Sequence, residues 1–78
     1  MKLEIITPEK KLFEGSVKSA VFPGSEGSFG VMNNHAPLIA TLKNGKVTLI
    51  EEDNNELVFE VKGGVVEVGK NGVIVIAE

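Results

Sequence analysis

The chain has 78 residues, of which 42% are hydrophobic and 24% are charged, with a net charge of −3 at pH 7. This predicts one soluble globular domain over residues 1–78. Arginine and cysteine are both absent, which argues against a nucleic-acid partner and excludes disulfides and thiolate metal sites.

Alternating apolar residues with abundant valine and isoleucine predict strands along almost the whole chain. No segment has helical periodicity. We expect about nine or ten strands with turns between them, in an antiparallel sandwich or flattened barrel. The clearest are residues 3–5, 13–21, 28–32, 37–42, 47–49, 57–62, 65–68 and 73–77.

Four polar or glycine-rich stretches predict how these strands connect. Asn44-Gly45 and Asn71-Gly72 are typical of two-residue hairpin turns, the first of type I′. The polar run 51–56 is expected to be a solvated hairpin loop. Gly63-Gly64 predicts a bulge or a change of sheet.

The last strand is apolar on both faces, because Val73 and Val75 alternate with Ile74 and Ile76. Either the chain's own loops cover the second face, or another molecule does. The residues leave both possibilities open.

The segment 22–42 concentrates glycine, proline and the single histidine, His35, and predicts a shaped docking surface. One histidine without cysteine, tyrosine or arginine leaves too few groups for catalysis or a metal site. The spacing of Gly24, Gly27 and Gly30 lacks the Gly-Lys-Ser/Thr ending of a phosphate loop. We therefore expect a non-enzymatic domain with no cofactor, no metal and no nucleotide site.

Five motifs together resemble the N-terminal domain of the epsilon subunits of bacterial and chloroplast F-type ATP synthases, over essentially the whole chain. They are VFPGSEGSFGV at 21–31, HAPLI at 35–39, LKNGKV at 42–47, GGVVEV at 63–68 and NGVIVIA at 71–77. The resemblance implies an all-β, ten-stranded antiparallel β-sandwich of two five-stranded sheets.

It also implies a function: a non-catalytic subunit of the rotor's central stalk that links gamma to the c-ring and couples proton flow to ATP synthesis. Its partners would be gamma and the c-ring, with membrane association only through the complex. The expected location is the cytoplasmic face of the bacterial inner membrane, with the chloroplast thylakoid as second choice.

By motif position, the resemblance assigns two contact sets. The c-ring set is Ser25, Glu26, Gly27, Ser28 and Phe29, and the gamma set is Asn33, Asn34, His35, Ala36, Pro37, Leu38 and Thr41. Where the family often has Pro-Gly before the histidine, this chain has Asn33-Asn34, a pair that can still turn through left-handed conformations.

Two alternatives from other classes stay open. A lipoyl or biotinyl carrier domain is also small, all-β and acidic, and Lys43 or Lys70 would be its modified lysine near a turn. A ligand-binding β-sandwich would instead need a small-molecule pocket.

Family members usually continue into a C-terminal helical hairpin, which in some of them binds ATP, and we expect that hairpin to be absent after Glu78. We therefore predict that the 78-residue polypeptide does not bind ATP. Isothermal calorimetry at physiological ATP concentration should give no saturable heat, and a saturable isotherm would contradict the prediction.

Overall fold

In a computed structural model that describes all residues 1–78, the chain forms eight strands. They are β1 (Lys2–Ile6), β2 (Lys11–Gly24), β3 (Gly27–Met32), β4 (Leu38–Leu42), β5 (Gly45–Glu51), β6 (Glu56–Val61), β7 (Gly64–Gly69) and β8 (Gly72–Ala77). Each of the clearest predicted segments falls on one of them. None of the elements is a helix long and apolar enough to cross a membrane.

The strands form one hydrogen-bonded sheet in the order β1-β8-β7-β4-β2-β5-β6, with β3 also paired to β2. The 14-residue strand β2 connects the parts. Its beginning pairs with β1, its later part with β3 and β5, and Gly24 at its end with Leu42 of β4. The register shifts between Val17 and Ser19 of β2. Because β2 pairs with both β1 and β4, the sheet closes on itself.

One apolar core lies inside this closed sheet and draws on every strand. Its 15 buried residues are Leu3, Ile5, Val17, Ala20, Phe22, Val31, Leu42, Val47, Leu49, Val61, Val66, Val68, Val73, Val75 and Ala77. No polar or charged residue is buried. Two aromatic pairs support the core, with ring centroids 5.5 Å apart for Phe22 and Phe29 and 5.8 Å apart for Phe13 and Phe59.

The predicted strand number and direction both need correction. Eight strands are present rather than ten, and residues 11–24 form one continuous 14-residue strand that pairs with four others. The arrangement is also not wholly antiparallel, since β1 and β8 run parallel, with Leu3 opposite Val73. This pairing joins the two ends of the chain, and no local pattern signals it.

The hairpin predicted at Asn44-Gly45 is wrong. The flanking strands do not pair with each other, because β4 pairs with β7 and β2 while β5 pairs with β2 and β6. Neither residue has the positive φ that a type I′ turn requires. Glycine at position 45 is instead favoured by packing. A Cβ added there would lie 2.8 Å from Cβ of Pro23, too close for an unstrained contact.

The other three connections agree with their sequence signals. The polar run closes the β5–β6 hairpin, where Asn54 has a φ of 72° and its N–H donates to the Glu51 carbonyl at 2.9 Å. The β7–β8 hairpin turns one residue earlier than predicted, at Lys70-Asn71, and Gly72 follows with a φ of 144°. At Gly63-Gly64 the chain changes pairing partners, from β5 to β4 and β8.

Gly64 generates a stability prediction, because its φ is 141° and an added Cβ would lie 2.2 Å from the Ile76 carbonyl oxygen. We expect Gly64→Ala to lower the free energy of unfolding by at least about 2 kcal/mol, through backbone strain and displacement of β8. Urea denaturation monitored by circular dichroism measures this. Gly69→Ala is the matched control on β7, since its nearest atom, the Gly72 carbonyl oxygen, is 3.8 Å away. Equal losses in the two variants would contradict the prediction.

Candidate interaction surfaces

The tip of the β2–β3 hairpin is an exposed two-residue turn, Ser25-Glu26, closed by the pair Gly24 and Gly27. Gly27 has a φ of 129°, a value that favours glycine. Thr41 of β4 is fastened to this tip: its hydroxyl donates to Oγ of Ser25 at 2.8 Å, and the Ser25 N–H donates to the Thr41 carbonyl at 2.9 Å. The structure therefore places Thr41 with the predicted c-ring set.

Phe29 differs from the other four residues of that set. Residues 25–28 are exposed, whereas Phe29 is half-buried and stacks at a tilt on Phe22. A Cβ added to Gly24 would lie 2.9 Å from the Phe29 ring. The ring thus holds the hairpin against the core, and residues 25–28 form the surface that a partner could reach.

The loop between β3 and β4 carries the first five residues of the predicted gamma set, all of them exposed. Asn34 adopts a φ of 67°, so the chain does turn through a left-handed residue here. The His35 N–H donates to the Met32 carbonyl at 3.2 Å, and its ring Nδ1 lies 2.7 Å from the Ala36 carbonyl oxygen. In the tautomer protonated at Nδ1, the ring donates this bond and leaves Nε2 facing outward.

The two predicted sets line different clefts. Residues 33–37 line one cleft with Met1, Lys2 and the β7–β8 hairpin, and residues 25–29 line another with 39–41 of β4. Leu38, the remaining gamma residue, is half-buried and packs against the core. The structure thus brings Thr41 and Ser25 together and separates Thr41 from His35.

Sequence reasoning missed Ile39, which is 71% exposed. Strand alternation could have found it, since Leu38 and Ala40 on either side pack against the core. Ile39 belongs to a surface that we call the outer face, made of the outward residues of β4, β7 and β8. Its exposed apolar members are Ile39, Val65, Ile74 and Ile76.

The register makes these side chains neighbours. Thr41 lies opposite Val65, which in turn lies opposite Ile76, while Glu67 lies between Ile39 and Ile74. Ile74 is 40% exposed and Ile76 is 58% exposed. The chain's own loops therefore do not cover the second face of the last strand.

An ion-pair network borders the outer face on β1 and β2. The Lys11 ammonium lies 2.8 Å from the Glu4 carboxylate and 2.9 Å from that of Glu14, and Lys2 lies 3.9 Å from Glu14. The two hydrogen bonds raise the pKa of Lys11. The hydrogen bond from Lys11 holds the pKa of Glu14 below its ordinary value of 4.5.

The family model for the beta-sandwich domain of the ATP synthase delta/epsilon chain matches residues 1–78. The chain belongs to this family. An ATP synthase epsilon chain of Chlorobium limicola is 47% identical over 77 residues, which are 99% of this chain and 88% of the relative. One of Caulobacter vibrioides is 41% identical over 78 residues, which are 100% of this chain and 90% of that relative.

Solved structures agree on the fold. A chain of the Euglena gracilis mitochondrial ATP synthase, in a structure of OSCP, F1 and the c-ring, superposes with a TM-score of 0.89 at 19% identity. The match covers 96% of this chain and 48% of that one. A chain from the central stalk and c-ring of the Tetrahymena thermophila enzyme gives 0.82 at 20% identity, covering 99% and 62%. At these identities the likeness establishes the fold alone.

Membership of the delta/epsilon family favours the stalk interpretation over the two alternatives. Lys70 does lie in a hairpin turn, as a carrier lysine would. Lys43 does not, because it lies between β4 and β5, which do not pair with each other. The whole chain matches the delta/epsilon family model, and the similar relatives are epsilon chains.

The Glu14 network gives this family member a predicted pH dependence. Because the folded-state pKa is depressed, the Glu14 carboxylate stabilises the fold above about pH 4.5, and this contribution is lost as the pH falls through the folded pKa. Glu14→Gln should therefore lower the unfolding free energy near neutral pH and approach the unmodified chain in acid. Urea denaturation at several pH values measures the difference. The exposed Glu9→Gln is the control, and a Glu14→Gln deficit independent of pH would refute the assignment.

Proposed function

We propose that this chain is a non-catalytic subunit of the central stalk of an F-type proton-translocating ATP synthase. It links gamma to the c-ring and so helps couple proton flow to ATP synthesis. The observation that carries this proposal is the match of the whole chain, residues 1–78, to the delta/epsilon beta-sandwich family, with epsilon chains 41–47% identical along almost its full length.

The structure supports a role that depends on surfaces. Every buried side chain is apolar, and the polar groups lie on exposed strands and turns. Two projecting segments, the β2–β3 tip and the β3–β4 loop, line separate clefts and can contact two partners at once. A stalk subunit needs such a two-sided arrangement, since it must hold one partner against another.

We assign residues 25–28 to the polar loops of the c-ring. Glu26 is the acidic residue at this tip and would pair with a basic c-ring side chain. Residues 33–37 and the neighbouring Leu38 are assigned to gamma. Phe29 and Thr41 would hold the β2–β3 tip in position. Phe29 packs on Phe22, and Thr41 is hydrogen-bonded to Ser25.

The proposal also covers how the strands divide between the two layers of the sandwich and where in the cell the chain lies. We place β1, β4, β7, β8 and the start of β2 in one layer of the sandwich, and β3, β5, β6 and the end of β2 in the other, on the basis of their pairing. Two strongly similar relatives are bacterial. We therefore assign the chain to the cytoplasmic face of the bacterial inner membrane, held there through the complex.

Binding to gamma and binding to the c-ring should be separable. The chain should co-purify with the cognate α3β3γ complex, and His35→Ala should weaken that binding severalfold through lost loop contacts. Glu26→Lys should leave binding to α3β3γ unchanged but weaken attachment to c-ring-containing membranes a fewfold, because an exposed ion pair contributes little. Binding is measured by pull-down and by sedimentation with membranes.

Asn44→Ala is the control, because Asn44 is exposed in the β4–β5 connection outside both contact sets. It should change neither binding. Failure of the unmodified chain to bind α3β3γ at low and moderate salt would remove the proposed function. The two assignments would be exchanged if Glu26→Lys lost binding to gamma. They would also be exchanged if His35→Ala lost only its attachment to membranes.

A further inference from the structure

The chain has two sulfur atoms, those of Met1 and Met32, because cysteine is absent. They lie in opposite environments. Met32 is 68% exposed, whereas the side chain of Met1 is 10% exposed and packs against the core. Tryptophan and tyrosine are absent as well. An oxidant in solution therefore meets one accessible thioether in this chain, that of Met32.

Strand alternation turns Met32 outward. It is the last residue of β3, and the alternate residues Phe29 and Val31 pack into the core. Met32 lies opposite Ser19 of β2, and β3 pairs with no strand other than β2. No neighbouring strand therefore covers the free side of Met32. A side chain this exposed contributes little to the stability of the fold, so a polar group can replace it without unfolding the domain.

Met32 also belongs to the surface of the β3–β4 loop. Its carbonyl oxygen accepts a hydrogen bond from the His35 N–H at 3.2 Å, and the residue lines the same cleft as residues 33–37. A partner that contacts this loop therefore reaches the Met32 side chain as well. The thioether is flexible and polarisable, which suits it to pack on an irregular apolar surface.

Oxidation changes what Met32 brings to such a contact. A hydroperoxide transfers one oxygen atom to Sδ. The O–O bond breaks, an S–O bond forms, the sulfur loses two electrons, and hydrogen peroxide is reduced to water. The product, methionine sulfoxide, is polar, so covering it without a hydrogen-bond donor is unfavourable. Methionine sulfoxide reductases return it to the thioether with two electrons taken from thiols.

We propose that Met32 is a reversible oxidation site that controls assembly. The thioether form docks on gamma, and the sulfoxide form docks weakly until it is reduced. This inference rests on the proposed function and adds to it a modification of the free chain, made before gamma covers the β3–β4 loop. The core is unaffected, because the oxidised atom lies outside it.

The first measurement is oxidation of the purified chain by graded hydrogen peroxide, followed by peptide mass spectrometry. Met32 should gain one oxygen atom at least about tenfold faster than Met1, which is the matched control within the same chain. Circular dichroism and the thermal midpoint should stay those of the untreated chain, because Met32 is exposed. Equal oxidation rates for the two methionines would overturn the site.

The second measurement is the affinity for an α3β3γ complex that lacks this subunit. The Met32 sulfoxide form should bind about fivefold more weakly than the untreated chain, because the sulfoxide is covered without a donor. Treatment with both stereospecific sulfoxide reductases should restore the affinity. Met32→Leu should lose no affinity through the same peroxide treatment, which separates oxidation of Met32 from damage to His35.

A pair of variants tests the effect of polarity without any oxidant. Met32→Gln should weaken binding, because it places an amide where the thioether stood. Val58→Gln makes a comparable change at an exposed site on β6, three strands away from β3 in the pairing order. It should alter the affinity less than about twofold.

The outcomes separate this inference from the proposed function. Unchanged affinity of the Met32 sulfoxide form would overturn the inference and leave the proposed function standing. An equal loss of affinity in peroxide-treated Met32→Leu would place the damage elsewhere and overturn it too. No binding by the untreated chain would refute the proposed function and, with it, control of assembly, even where Met32 is oxidised selectively.

Discussion

The closure of the sheet through β2 is the constraint on which the rest of the structure depends. A chain of this length buries only about 60% of the surface that its unfolded form exposes, and this one has no disulfide to compensate. β2 pairs with β1, β3, β4 and β5, so a single strand connects segments from both ends of the chain. Together with the parallel β1–β8 pair, these contacts enclose one continuous apolar core. Most of the stabilising contacts are therefore distant in sequence.

Closure also determines where function can lie. The inward positions of every strand are occupied by the core, so partner contacts must come from turns and from outward strand positions. β4 shows this most clearly, because Leu38, Ala40 and Leu42 face the core while Ile39 and Thr41 face outward. The same alternation in β8 buries Val73 and Val75 and exposes Ile74 and Ile76. These outward isoleucines leave an exposed apolar patch on the strands, beside the turns.

The sequence predicted what depends on near neighbours and failed where distant partners decide. Strand positions followed from alternation. The polar run 51–56 connects two strands that do pair, and so does the turn at Lys70-Asn71, one residue before its predicted position. Asn44-Gly45 has the same local chemistry but connects strands that pair elsewhere, so no hairpin forms. In the candidate sites, Thr41 was assigned to the gamma set by motif position, and the structure adds a hydrogen bond from Thr41 to Ser25 of the c-ring set. Such a bond between residues 16 apart has no signature in a linear pattern.

The Asn33-Asn34 pair bears on how a subunit in the proposed role would transmit force. Asn34 keeps the left-handed conformation, so the loop still reverses and presents His35, although without proline its backbone is less restrained before binding. Loop contacts alone would then form a compliant attachment. The outer face has no such freedom, because Ile39, Val65, Ile74 and Ile76 project from three paired strands. β4 runs directly from the loop to the residue that holds the β2–β3 tip. A load passed between the two proposed partners would therefore travel along a hydrogen-bonded strand, with the loop serving recognition.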